Sequence, residues 1–106
     1  MLDVEKVAQA VALEGLRLVK GVQRGNGDLV DQFRRALVSV TLNTTEAMGR
    51  KAGGDRKHLL SVARGSAKEA SAALALLAAL EVVGPQAEAV EVGLDRVRAM
   101  LWRLAA

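Results

Sequence analysis

The chain predicts an all-α fold, an antiparallel up-down-up-down four-helix bundle, on three observations. Apolar residues recur every three or four positions through four successive stretches. Glycine-rich breaks separate those stretches. No run alternates apolar and polar residues with period two between hairpin turns. Amphipathic helices joined by short connections favour antiparallel neighbours. Composition agrees: there is one proline, and Phe33 and Trp102 are the only aromatic residues, so Ala, Leu and Val must fill the interior. These residues favour helix, and small aliphatic side chains pack densely only where helices approach closely. A length of 106 residues predicts one domain, residues 1–106, with one core.

The first helix starts after Asp3, a suitable N-cap, and is stopped by Gly21 and the Gly25-Asn26-Gly27 turn. Val4, Val7, Val11, Leu18 and Val22 lie along one side of it, with Leu13 and Leu16 beyond. Asp28 opens the second helix, which is expected to run to about Ala52, before Gly53-Gly54. Its apolar line is Leu29, Phe33, Ala36, Val40, Thr44 and Ala47. Asp55 is expected to cap the third helix, with Leu59, Ala63, Ser66, Ala70, Leu74 and Leu77 inward and its stop at Gly84-Pro85. The fourth is expected over Gln86 to Leu104, with Val90, Leu94, Val97, Leu101 and Leu104 inward. Helices of about 20 residues are roughly 30 Å long.

Several function classes lack their signatures. The chain has no cysteine, which removes disulfides and thiolate metal sites. His58 is the only histidine, so the Glu-x-x-His pairs of a di-iron bundle are absent. No nucleophile has a plausible base, and no acidic pair is suited to acid–base work. Gly25-x-Gly27 lacks a third glycine and a preceding strand. The Gly49–Gly54 loop lacks the Lys-Ser/Thr of a phosphate-binding Walker motif. No cofactor and no metal are expected, and the chain is expected not to be an enzyme. The uncharged run Ala70–Leu80, bounded by Glu69 and Glu81, is too short to span a bilayer. The N-terminal Met1-Leu2-Asp3-Val4-Glu5 does not resemble a signal peptide. A soluble, cytoplasmic protein is the expectation, with no membrane partner.

Charge is distributed unevenly. Between Arg34 and Lys68 lie eight basic residues (Arg34, Arg35, Arg50, Lys51, Arg56, Lys57, Arg64 and Lys68) and two acidic ones, Glu46 and Asp55. That stretch carries +6 and the remainder −3, in a chain whose total is +3. Such separation suits a polyanionic partner, or like subunits turning their basic sides to a common space. Lys57, Ser61, Arg64 and Lys68 form one stripe on the outside of the third helix, continuous with the loop Arg50–Arg56. Cations on a rigid helix can follow a phosphate backbone, and glycines let backbone N–H groups approach it. The candidate nucleic-acid-binding residues are Arg50, Lys51, Arg56, Lys57, Arg64 and Lys68. The blander alternative is a solvated charged face. No aromatic residue lies in the stripe, so base stacking is not expected and recognition should be weakly sequence-specific.

A second polar line, Arg35, Ser39, Asn43, Glu46 and Arg50, runs beside the apolar face of the second helix. An antiparallel hairpin about Ala52-Gly53 would bring Ser39 level with Ser66 and Arg35 level with Glu69. The expectation is a structural polar ladder of Arg35, Ser39, Asn43, Glu46, Ser66 and Glu69, ending in an Arg35–Glu69 ion pair. It would set register in a bundle of interchangeable Ala and Leu; a ligand or catalytic site is the competing reading. Val38 and Leu42 on the second helix, and Ala72, Ala75 and Ala79 on the third, project away from the apolar stripes. They are the candidate oligomer interface. Trp102, in line with Glu91, Asp95 and Arg98, is expected to cover the bundle end.

The second and third helices resemble a known family. Asp31-Gln32-Phe33-Arg34-Arg35-Ala36, Ser39-Val40 and Asn43-Thr44-Thr45-Glu46-Ala47-Met48-Gly49-Arg50 resemble the second helix of the 23S rRNA intervening-sequence proteins, a four-helix-bundle family. Leu59-Leu60-Ser61-Val62-Ala63-Arg64-Gly65-Ser66-Ala67-Lys68-Glu69 resembles its third-helix signature. The likeness extends over roughly residues 29–104, with Ala47 where a glycine is usual and Thr44 where a branched aliphatic is usual. The resemblance implies a ring-forming homo-oligomer, a pentamer, and no enzymatic activity. It also implies kinship with the accessory variability protein of diversity-generating retroelements, a basic protein that works with nucleic acid and a reverse transcriptase. Residues and resemblance together predict a homo-oligomer that binds nucleic acid, structured RNA in particular, through backbone phosphates. The alternative is an oligomeric protein-interaction scaffold, such as a reverse-transcriptase accessory subunit.

Overall fold

A computed structural model describes residues 3–22 and 25–106. Met1 and Leu2 of the N-terminal stretch lie outside it. The helices are α1 (Val4–Leu18), α2 (Gly27–Met48), α3 (Gly54–Ala79) and α4 (Ala87–Ala105). Each packs against two neighbours in a closed cycle: α1 on α2 and α4, α3 on α2 and α4. Residues from the start of α1 line the same recess as Met48, at the end of α2, and Met100 and Arg103, near the end of α4. Glu14 and Arg17 of α1 meet the segment leading into α4. These pairings make the bundle up-down-up-down.

The core is continuous through all four helices and holds Phe33, Leu37, Leu60, Leu74, Leu77, Leu94 and Leu101 at its centre. Two glycines let α1 approach its neighbours. A Cβ on Gly15 would stand 2.6 Å from Leu37 Cδ1, and one on Gly93 would stand 2.8 Å from Val11 Cγ2. Small residues at these crossings allow a core poor in aromatics to reach interior packing density. The inward lines extend to Ala8, Ala12, Val30, Leu37, Leu60, Ala67 and Ala73. Leu104 is exposed rather than inward; in the last turn of α4 it is Ala105 that packs against the core instead.

Several helix ends differ from expectation. Asp3 does cap α1, its carboxylate accepting from the Glu5 N–H at 2.9 Å. α2 stops at Met48, with the Gly49 N–H bonded back to Thr45 and Glu46 carbonyls. Gly53, not Asp55, is the N-cap of α3, and its φ of 151° favours glycine. Asp55 lies in the first turn, where its charge still complements the helix dipole. α3 ends at Ala79, short of Gly84. The Val82 N–H donates to the Leu77 carbonyl and the Glu81 N–H to that of Ala78, a Schellman closure with Glu81 in the left-handed position at φ 60°. A glutamate there gives no sequence signal, since glycine is the usual occupant.

Candidate nucleic-acid interface

The seam between α2 and α3 holds a short hydrogen-bonded chain. Ser39 Oγ and Ser66 Oγ are 2.7 Å apart, which fixes the antiparallel register of the two helices. Asn43 Nδ2 donates to the Ser39 carbonyl at 2.9 Å and to Ser39 Oγ at 3.0 Å. Ser66 is buried while Ser39 and Asn43 are half-buried, so neutral partners satisfy one another where water is scarce. The expected Arg35–Glu69 ion pair does not form among the described residues, whose ion pairs are Arg34–Asp31, Arg50–Glu46, Arg50–Asp55 and Arg98–Asp95. Arg35 and Glu69 are both exposed and border the same recess. An ion pair in water contributes only about 0–1 kcal/mol against the entropy of fixing two long side chains. Glu46 is committed to Arg50, at 2.6 Å.

The eight cations between Arg34 and Lys68 divide into those engaged within the fold and those left over. Arg34 donates from one nitrogen to Asp31 at 3.3 Å and from the other to the Val19 carbonyl at 3.1 Å. It thereby closes the C-terminal end of α1. Arg50 meets Glu46 and also Asp55, at 3.8 Å. Glu46, by hydrogen bond and then by charge, holds the Arg50 guanidinium above its usual pKa, with Asp55 adding to the effect. Its charge is thereby paired with carboxylates of the chain itself. Arg56 is half-buried beneath the turn, its Nη2 directed to Met48 Sδ at 3.3 Å. Arg35, Lys51, Lys57, Arg64 and Lys68 make no ion pair among the described residues. Three of these five lie on the outer stripe of α3.

The tertiary structure places an aromatic ring beside that stripe, contrary to the sequence expectation. Trp102 does not cover the bundle end. It lies across the α3–α4 seam with the Arg64 guanidinium over its ring, 4.4 Å from the centroid, and 61% of its surface is exposed. Ser61, Arg64, Gly65 and Lys68 of α3 and Asp95, Arg98, Ala99 and Trp102 of α4 line one open groove. The signal was available in outline. Arg64 and Trp102 are equidistant from Val83, so the hairpin arithmetic that aligned Ser39 with Ser66 also aligns this pair.

Val38, Leu42, Ala72, Ala75 and Ala79 are all exposed. Leu76 and Leu80, which sequence reasoning did not single out, join them at 56% and 59% exposure. On α3 the residues Lys57, Ser61, Arg64, Lys68, Ala72, Ala75 and Ala79 share one helical stripe, cationic toward the α2–α3 turn and small and apolar toward the other end. His58 is exposed. Among the described residues no group of acidic and histidine side chains could hold a metal ion, and no helix is long and apolar enough to cross a membrane.

Residues 1–103 match the family model described as 23S rRNA-intervening sequence protein. The chain belongs to that family. A crystal structure from Bacteroides thetaiotaomicron VPI-5482, described as a protein with unknown function from the S23 ribosomal protein family, has the same fold. It superposes with a TM-score of 0.86 at 20% identity, covering 97% of this chain and 98% of its own. No curated protein matches the chain. Neither the family nor the structural neighbour carries the name of an enzyme.

Proposed function

We propose that this 23S rRNA-intervening sequence family protein is a non-enzymatic, ring-forming homo-oligomer that binds nucleic acid, structured RNA in particular, through backbone phosphates. The observation that carries this reading is the row Lys57, Arg64 and Lys68, aligned on the outside of one rigid helix and without acidic partners among the described residues. Cations one to two helical turns apart can neutralise successive phosphates, and release of counterions then drives binding. The family's name, which refers to 23S rRNA, agrees with an RNA ligand. Repetition of the row around an oligomer would raise its avidity.

The test is the salt dependence of RNA binding. The log of the affinity should fall linearly with the log of salt concentration, by about 0.7 to 0.9 per phosphate neutralised. Feeble, salt-insensitive binding would remove the reading.

The exposed apolar side chains Val38, Leu42, Leu76 and Leu80 favour a contact between copies of the chain. Val38→Glu should yield monomers in sedimentation, and an intact oligomer would exclude that surface. The same apolar side chains support the second reading, a protein-interaction scaffold such as a reverse-transcriptase accessory subunit. Co-purification of a protein partner with a variant unable to bind RNA would favour it.

A further inference from the structure

We propose that the groove between α3 and α4 stacks an unpaired nucleobase on Trp102, so that the protein prefers single-stranded segments of its nucleic-acid ligand to continuous duplex. The inference rests on the nucleic-acid reading above and deepens it, because phosphate contacts alone do not separate single strands from duplex.

Three features of the groove point to a base. The first is the ring itself. Trp102 keeps 61% of its surface in water while the core has no tryptophan and a single phenylalanine, so its apolar area serves the bundle little. The Arg64 guanidinium over the ring supports its orientation by cation–π attraction. Arg64 makes no hydrogen bond or ion pair among the described residues. Its N–H groups therefore remain available to a base edge or a phosphate. Aromatic rings beside a cationic track are the arrangement by which proteins hold single strands, since every base offers a π-face.

The second feature is charge. Arg64, Lys68 and Arg98 face Asp95 alone among acids lining the groove, and Asp95 is 3.6 Å from Arg98. The groove thus retains a net positive charge beside its apolar ring, which suits a nucleotide. The third is Gly65, which borders the groove. A Cβ there would meet nothing within 4 Å, so packing within the chain does not require glycine. Yet a glycine inside a helix costs about 1 kcal/mol relative to alanine. Its missing side chain keeps the rim low where a base would enter.

Trp102 is the sole tryptophan, so its fluorescence reports directly on the groove. Titration of the intact protein with short oligoriboadenylate, oligodeoxyadenylate and a fully paired RNA duplex should quench it with the single strands and not with the duplex. Quenching by both single strands assigns the chemistry to the base. Quenching by the ribo form alone places part of the recognition on the 2′-hydroxyl. Trp102→Leu should weaken single-strand binding about 5- to 150-fold, the worth of one stacked base, and leave duplex affinity and the melting temperature unchanged. Trp102→Phe should restore most of the loss. Salt-dependent binding without quenching, equal in Trp102→Leu and the parent protein, would overturn base stacking while leaving the phosphate reading intact. If Trp102→Leu dissociates the oligomer and lowers single-strand and duplex affinity together, the ring belongs to a subunit contact and the proposal fails. Absence of any binding to the three ligands would overturn both readings.

Discussion

At the centre of the α2–α3 seam the polar groups are short, neutral and turned toward one another, whereas along the α3–α4 seam they are mostly long, cationic and turned outward. In the first, Ser39, Ser66 and Asn43 saturate each other over distances of 2.7 to 3.0 Å. In the second, Arg64 and Lys68 make no ion pair among the described residues. An exposed ring is stacked beneath one of them. A seam whose hydrogen-bonding capacity is used internally specifies register and has little to offer a ligand. A seam that leaves its donors unused contributes little to folding and is free to bind. The same helix, α3, supplies one face to each.

Charge reversal should separate the two seams most sharply. Replacing Lys57, Arg64 and Lys68 together by glutamate should reduce the steepness of the log–log salt dependence by about 2 to 3, one increment per lost phosphate contact. Chemical denaturation of the same variant should shift by no more than about 0.5 kcal/mol per site, as for surface substitutions generally. A large loss of stability would show that the stripe is structural after all.

The internal seam should respond in the opposite way. Ser39→Ala removes the partner of buried Ser66 and one acceptor of Asn43; denaturation should reveal a loss of about 1–3 kcal/mol, with RNA affinity unchanged. Ser39→Ala combined with Ser66→Ala should cost less than the sum of the single changes, because no orphaned hydroxyl remains. Strict additivity in that cycle would deny the coupling between the two serines.

Smaller effects test how far polar groups at the core are tolerated without partners. Thr44 is wholly buried and its Oγ1 has no hydrogen-bond partner. Thr44→Val should therefore raise stability by about 1 kcal/mol. Glu81 occupies a left-handed backbone position at the end of α3, away from both seams. Glu81→Gly should raise the melting point slightly, by relief of about 1 kcal/mol of strain, with RNA affinity as in the parent.

Most of the fold was legible because helical periodicity is a local property repeated through each segment. Phe33, Val40, Leu74 and Leu94 lie inward in the sequence pattern and are buried in the structure. Helix ends were less legible. Gly84 and Gly49–Gly54 mark the connections, but Glu81 and the backbone bonds around it set where α3 stops. The α2–α3 register was recoverable from the symmetry of the hairpin, and Ser39 does meet Ser66. Arg35 and Glu69 obey the same arithmetic and form no ion pair, because long side chains in water gain too little from pairing to be held by position alone.

The amino-acid sequence by itself determined the number of helices, the faces they bury and the concentration of positive charge on α2, α3 and the turn between them. Each follows from residue spacing or from a count, neither of which depends on distant neighbours. Only the tertiary structure decided which cations are left for a partner. Arg34 is drawn to the end of α1, Arg50 to Glu46 and Arg56 to Met48, while Arg64 rests on a tryptophan thirty-eight positions away. A flexible cation takes whichever acceptor or ring the packed backbone brings within reach, and that is fixed only when the helices have met.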